Sequence, residues 1–487
     1  MAQDIHIDPT PTFSLSPDLY MQFMEPLGVT DGSVEAAWDH QTEDWRPDVI
    51  KATQDLAPPI IRYGGCLSSY YRWREGVGPR SRRRPMLNLL WGGIESNQVG
   101  TAEFVDFCRR VKARGFYCVN FESDGRPYWA RPRRGGVRTA GPKEAAEWVD
   151  YCNRPDHPLR HRHGHPEPFN LKLWQIGNET SHDPNGYDLE TTAKRTVAFA
   201  KAMRKADPEI ELIGWGGHSK TGPAWTGRMA ERLGEHVQYL AFHHMFKLDS
   251  RDPDSPLYCD NYRLDPQATW DALMQAPAAQ DAAIQAIREN LGSHDIPLAM
   301  TESHFALPGR HRNEVLSSWA AGVANARVLH VHQRHGDALK MATLADFCGT
   351  RWNVNALLIP VPRGQAFLTP VGRVMALYRK HCGSKAVTVA KTPAGLDVVA
   401  SRRGKRLFLH VINTNRTRQV TTGVSISGYS VASAKSFQIT APPEVEIDAH
   451  NADRIKPVSK ALDPIGRWSF PPASVSALEL TLDEKRA

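Results

Sequence analysis

Eight short apolar runs, each followed by a stretch of helical periodicity, constrain this chain more than any other feature of its sequence. The runs are LYMQFME (19–25), PIIRYGG (59–65), FYCVNFE (116–122), LKLWQIGNE (171–179), IELIGWGG (210–217), VQYLAFHH (237–244), PLAMTES (297–303) and ALKMATLADF (338–347). Between them lie amphipathic segments. TAEFVDFCRRVKARG (101–115) reads as a helix with a Thr cap, Glu103 in its first turn and a closing Gly. KEAAEWVDYCN, TTAKRTVAFAKAMRKADP, the 266–292 stretch and NEVLSSWAAGVANARVLHVHQ follow the same scheme. Eight strands separated by helices over roughly 360 residues predict an α/β chain folded as a (β/α)8 TIM barrel. A doubly wound open sheet is the alternative, but no Gly-rich phosphate loop follows any of the runs.

After about residue 384 the texture changes to period-two alternation with frequent turn residues, which predicts a C-terminal antiparallel β-sandwich. IHIDPTPTFSLS, near the N-terminus, is expected to add a strand to it. The expected division is therefore 1–17 (N-terminal strand joining the sandwich), 18–383 (catalytic barrel) and 384–487 (sandwich).

Composition narrows the class. At 487 residues, with 41% hydrophobic and 23% charged residues, the chain has material for two or three domains and reads as an ordinary globular protein. No run approaches the length of a transmembrane helix, and the N-terminus lacks a basic segment followed by an apolar one, so no membrane partner and no secretory signal are expected. The seven cysteines show no CxxC pair or close spacing, which points away from a disulfide framework or zinc site and towards a reducing, cytoplasmic setting. The net charge of +7 gathers partly in RSRRRP (80–85) and RPRRGGVR (131–138). Both look like solvated loops without interleaved aromatics, so no nucleic-acid partner is expected.

In a barrel the strand C-termini form the active-site rim. Those ends are Glu25, Gly64–Gly65–Cys66, Glu122, Asn178–Glu179, Trp215, His243–His244, Glu302 and Asp346. Glu179 closes the fourth strand and Glu302 the seventh, which face one another across the mouth. Retaining glycosidases need two carboxyls about 5–5.5 Å apart, one a nucleophile and one an acid/base. An Asn before the acid/base suits a donor to a sugar hydroxyl. A lone strand-end Glu is more often a salt-bridge or capping partner, but two on facing strands favour catalysis.

LYMQFMEPLG, RYGGCLSSYYRWREGVGPR, LNLLWGGIESNQVGTAEFVDFCRR, YCVNF, EAAEWVDYCN, GHPEPFNLKLWQIGNE and TESHF, in that order, resemble glycoside hydrolase family 51, the retaining α-L-arabinofuranosidases with some endoglucanases. The resemblance covers residues from about 15 to 382, with a β-sandwich where that family carries its own. It implies a retaining mechanism with Glu179 as acid/base and Glu302 as nucleophile, and no cofactor or metal. It implies that Glu25, Trp91, Asn178 and His243 shape the sugar pocket, and that the chain forms a homo-oligomer, commonly a hexamer in that family. Three positions depart from the family pattern. A sugar-contacting Asn becomes Cys66, a Tyr becomes Met245, and a Gln near the last helix becomes Leu368. The substrate expected is an oligosaccharide or glycoside, with the sugar itself left open.

Other features admit plainer readings. His157, His161, His163 and His165 could bind a metal but read as a Pro-rich loop. His243–His244 reads as a hydrogen-bonding pair because no carboxylate stands at ligand spacing in the sequence. Asp337 and Asp346 could touch substrate or pair with Arg. Trp91 could be a stacking platform or core, and Cys66 a reactive thiol or a small hydrophobe. Three functions remain: an exo-acting furanosidase, an endo-β-glycanase of the same fold, and a non-catalytic carbohydrate-binding protein.

Overall fold

The computed structural model describes residues 4–121, 140–181, 187–218, 223–248, 252–307 and 314–484. Eight strands run parallel in sequence order: Gln22–Met24 (β1), Ile60–Tyr63 (β2), Arg114–Val119 (β3), Leu173–Ile176 (β4), Glu211–His218 (β5), Tyr239–Phe246 (β6), Leu298–Phe305 (β7) and Leu339–Ala342 (β8). Helices fall between them, among them Thr101–Val111, Pro142–Asn153, Leu189–Ala206 and Trp319–Arg334. Ile60, Phe116, Leu173, Ile213, Ala241, Ala299 and Met341, one from each strand β2 to β8, pack into a single buried cluster. Apolar side chains on the other strand face pack against the helices in a larger core, so the runs are apolar at successive positions.

The eighth run is not one strand. Thr343 turns the chain by donating from Oγ1 to the Ala345 carbonyl at 2.8 Å. β8 stays on β7, while Asp346–Gly349 pairs parallel with β1 through Phe23. The Met21 amide donates to the Ala342 carbonyl at 3.0 Å, so the sheet returns on itself. Other boundaries also shift. The 266–292 stretch is two helices, Pro266–Leu273 and Ala276–Leu291. Gly100, not Thr101, caps the helix Thr101–Val111, its amide held by Glu103 Oε2 at 2.9 Å. The His-rich run holds a short helix, Pro158–Arg162, rather than loop alone.

A second, eight-stranded sheet contains Lys385–Lys391, Leu396–Arg403, Arg406–Asn413, Tyr429–Ile439 and Val475–Glu484, with a separate pair Val420–Thr422/Trp468–Phe470. Alternate residues such as Leu407, Leu409, Val411, Leu478, Leu480 and Leu482 fill its core. Ile5–Ser14 pairs antiparallel with Lys385–Lys391 and parallel with Val424–Ile426. Asp397 joins this sheet to the helix Trp319–Arg334, meeting Arg327 at 3.2 Å and His330 at 3.0 Å, with Arg334 beside them. Burial alone would raise the Asp397 pKa, but His330 and Arg334 hold it well below the usual carboxylate range.

Candidate active site

The C-terminal ends of β1, β2, β4, β6 and β7 bring Glu25, Cys66, Asn178, Glu179, His243 and Glu302 together. The segment after β4 bends sharply. Gly177 has φ +75°, and a Cβ there would stand 2.5 Å from Thr180 Cγ2. Glu179 itself has φ +43°, a left-handed conformation that a non-glycine residue holds only when its surroundings enforce it. The bend lifts the Glu179 carboxyl off the strand and towards β6.

His243 is the meeting point. Its Nδ1 lies 2.9 Å from Glu179 Oε1 and 3.5 Å from Glu302 Oε2. One ligand atom from each of the three side chains lies within 4.8 Å of the others. Glu302 is buried, whereas the Glu179 side chain is 22% exposed, so the two acids stand in different surroundings. The Trp215 ring meets His243 edge-on at 4.8 Å, and its Nε1 donates to Ser181 Oγ at 2.8 Å.

The charge of Glu302 is met by Arg62, a residue the sequence reading did not single out. Arg62 is fully buried and donates at 2.8 Å to Glu302 Oε1, at 2.8 Å to Gln175 Oε1 and at 2.6 Å to Asn178 Oδ1. Burial would lower its pKa, but the neighbouring Glu302 more than offsets this and the guanidinium stays charged. Because Arg62 occupies Asn178 Oδ1, the orientation of the Asn178 amide is fixed. The available signal was an arginine in the middle of the apolar run PIIRYGG, facing Gln175 in LKLWQIGNE.

Glu25, from the end of β1, accepts on Oε1 from the Cys66 amide at 2.8 Å and Trp91 Nε1 at 2.9 Å. Burial, and then the charge of Glu302, push its pKa well above the ordinary carboxyl value. Gly65 makes this contact possible: at φ +106°, a Cβ would lie 2.2 Å from Glu25 Cδ. Asp346 is also buried, its Oδ1 3.5 Å from His304 Nε2. Burial and then Glu25 and Glu302 raise its pKa well above normal.

The remaining predicted residues fall in different places. Cys66 contributes its backbone amide, and burial, followed by Glu25, pushes its thiol pKa well up, against the reactive-thiol reading. Trp91 is half-buried, bonded to Glu25 and edge-on to Trp352, which makes it a wall of the site. Met245 pairs with His304 in the β6–β7 register, two residues beyond His243. Leu368 is 2% exposed and pairs with Leu357 in the core, so it is not a lost sugar contact. His243 and His244 do not act as a pair. His244 Nε2 is buried without a hydrogen-bond partner, and burial pulls its pKa down to about 4.

The fold also sets two carboxylates beside His243, which strand spacing alone had not shown. A cation there would compete with the permanent charge of Arg62 on Glu302. In the His-rich run, His163 Nδ1 bonds the Tyr151 hydroxyl and His157 caps its helix. Asp337 forms an ion pair with Arg288. Arg83, expected in a solvated loop, is buried against Glu103. Glu122 and the 131–138 run lie outside the described residues.

The fold and the site bring two acids, an arginine and a histidine together at one end of a parallel sheet. Residues 52–263 match the family described as Alpha-L-arabinofuranosidase 1 domain, and residues 299–474 match Alpha-L-arabinofuranosidase C-terminal domain. The chain is a glycoside hydrolase family 51-like protein. It is 34% identical over 241 residues to an intracellular exo-alpha-(1->5)-L-arabinofuranosidase of Acetivibrio thermocellus, covering 47% of this chain and 45% of that protein. It is 33% identical over 253 residues to a similarly named protein of Bacillus subtilis, covering 49% and 47%. The alignments thus span about half the length of these relatives. In fold, it is similar to the family 51 arabinofuranosidase of Xanthomonas axonopodis pv. citri, with a TM-score of 0.81, 20% identity, and coverage of 98% of this chain and 99% of that one.

Proposed function

We propose that the chain is a retaining glycoside hydrolase that removes non-reducing-end furanosides, in the manner of an α-L-arabinofuranosidase. In this reading the parallel sheet is a (β/α)8 barrel spanning 18–383, flanked by a β-sandwich of 384–487 that takes in 1–17. The carrying observation is the approach of Glu179 and Glu302 to within 4.8 Å at His243. That closeness suits carboxyls about 5–5.5 Å apart, as double displacement needs, rather than the 6.5–9.5 Å gap that admits a water in inverting enzymes.

The two acids divide the work by their surroundings. Glu302, ion-paired with Arg62, is the nucleophile: its oxygen bonds to the anomeric carbon as the bond to the leaving oxygen breaks, and Glu179 gives that oxygen its proton. A water then attacks the anomeric carbon, the Glu302 ester bond breaks, and the water's proton returns to Glu179. Arg62 aligns Glu302 and the Asn178 amide towards the sugar. Glu25, favoured in its protonated form, offers a hydroxyl donor from the Oε2 side while Oε1 accepts from Cys66 and Trp91.

The relatives' names include the word intracellular, and no helix among the described residues is long and apolar enough to cross a membrane. Short oligosaccharides taken into the cell are the substrates this favours. Glu302→Ala should abolish hydrolysis of aryl furanosides, and the wild-type product should keep its anomeric configuration in NMR-monitored hydrolysis. Full activity in the variant, or inversion at the anomeric carbon, would overturn the assignment.

A further inference from the structure

The second nitrogen of His243 has a partner to which no role has been given. Nε2 lies 2.9 Å from Thr301 Oγ1, and Thr301 is fully buried. Its position is the product of a strand irregularity. The β6–β7 pairing runs Phe242↔Met300 and then His243↔Glu302, so Thr301 is an extra residue on β7. A bulge of this kind re-aims side chains, and here consecutive residues, Thr301 and Glu302, both reach one imidazole.

Electrostatics fix the direction of these bonds. A neutral imidazole carries one N–H and one lone pair. Nδ1 faces oxygens of two acids, and Glu302 is already engaged as a carboxylate by Arg62. The Glu302 carboxylate repels a lone pair on Nδ1 and attracts an N–H, so Glu179 Oε1 accepts and the acid's transferable proton sits on its other oxygen. With the proton on Nδ1, Nε2 is an acceptor, and the Thr301 hydroxyl is placed to donate to it.

We infer that Thr301 is a positioning residue for the acid/base, holding His243 as the tautomer that directs Nδ1–H at Glu179. This rests on the function proposed above. Its consequence falls on one moment of the cycle. When Glu179 has passed its proton to the leaving oxygen it becomes a carboxylate, and the Nδ1–H stabilises that form. Departure of a poor leaving group depends on that transfer, while departure of a good one scarcely does.

The test compares Thr301→Val, which removes the donor at nearly constant shape, with Thr301→Ser, which keeps it. Hydrolysis of an alkyl furanoside by Thr301→Val should fall about tenfold or more, with para-nitrophenyl furanoside hydrolysis far less affected. The effect should lie in kcat rather than KM, with a displaced pH profile, and Thr301→Ser should restore it. Equal losses on both substrates with an unchanged pH profile, or no loss, would overturn the role. A direct readout needs no variant at position 301. Nitrogen NMR of the histidine-labelled wild-type protein, with His243 assigned by the signal lost in His243→Gln, should show a protonated Nδ1 and an unprotonated Nε2. The reverse pattern, or protons on both nitrogens, overturns the inference even if Thr301→Val fails to fold. A wild-type chain that hydrolyses no furanoside overturns the enzymatic reading and the role in acid catalysis, and the NMR result then shows separately whether the tautomer holds.

Discussion

Replacing Arg62 with methionine removes the guanidinium that is ion-paired with Glu302 and leaves the side-chain volume nearly unchanged. Three bonds disappear together: 2.8 Å to Glu302, 2.8 Å to Gln175 and 2.6 Å to Asn178. Breaking one side of a buried ion pair costs about 3–5 kcal/mol because the remaining charge is stranded. Each buried acceptor left without a donor adds about 1 kcal/mol or more. Arg62→Met should therefore lose about 5 kcal/mol or more, a large share of the roughly 5–15 kcal/mol typical of folded proteins. Arg62→Lys, which keeps the charge but not the fork, should lose about half as much. The decisive variant is Arg62→Met combined with Glu302→Gln. Neutralising Glu302 removes the stranded charge, so the double variant should recover about 2 kcal/mol or more relative to Arg62→Met alone. Urea unfolding followed by tryptophan fluorescence, with reversibility checked, gives each value. A single variant within about 1 kcal/mol of the wild type, or a double variant no more stable than Arg62→Met, would refute the reasoning.

Two further predictions concern the scaffold. Gly65→Ala should destabilise the protein by about 2 kcal/mol or more, because the methyl must displace Glu25 and the backbone is strained at φ +106°; a melting temperature unchanged from wild type would contradict this. Asp31, held by the amides of Thr350 and Trp352 at 3.0 and 3.1 Å, has its pKa raised by burial from 3.8 to about 6. An acid whose folded pKa is raised binds its proton more tightly in the native state, so its share of stability is present below about pH 4 and lost as pH rises through about 6. That share is about 3 kcal/mol, so the stability of Asp31→Asn relative to the wild type should rise by about that amount between about pH 4 and 6; a difference constant with pH would count against it.

What could be read from the sequence follows from which interactions are local. Apolar runs bounded by Gly, Asn and acids gave all eight strands, because both strand faces here are buried. The split in the eighth escaped notice because it turns on a Thr343 side-chain bond within an otherwise apolar run. Glu179 and Glu302 stood out as acids at strand ends, but Arg62 lay inside a strand, where one charged residue in an apolar run shows that it needs partners without showing which. Its partners come from positions 113, 116 and 240 residues away in the chain. Thr301 was hidden for a different reason: a bulge is a property of the pairing of two strands and leaves no mark on either alone. Leu368 was misjudged by position, since closeness in sequence to the last helix says nothing of which way a two-residue strand faces.

The strand Ile5–Ser14 joins a sheet whose other members all follow residue 384. At synthesis rates of about 5–20 residues per second, it emerges roughly 20–75 s before Lys385–Lys391 exists to receive it. Throughout that interval Ile5 and Ile7, which end fully buried, lack their native partners, while the parallel sheet can already assemble beside them. This early segment is thus among the last to dock, and the nascent chain carries it as an unpaired, aggregation-prone edge until the strands after residue 384 emerge.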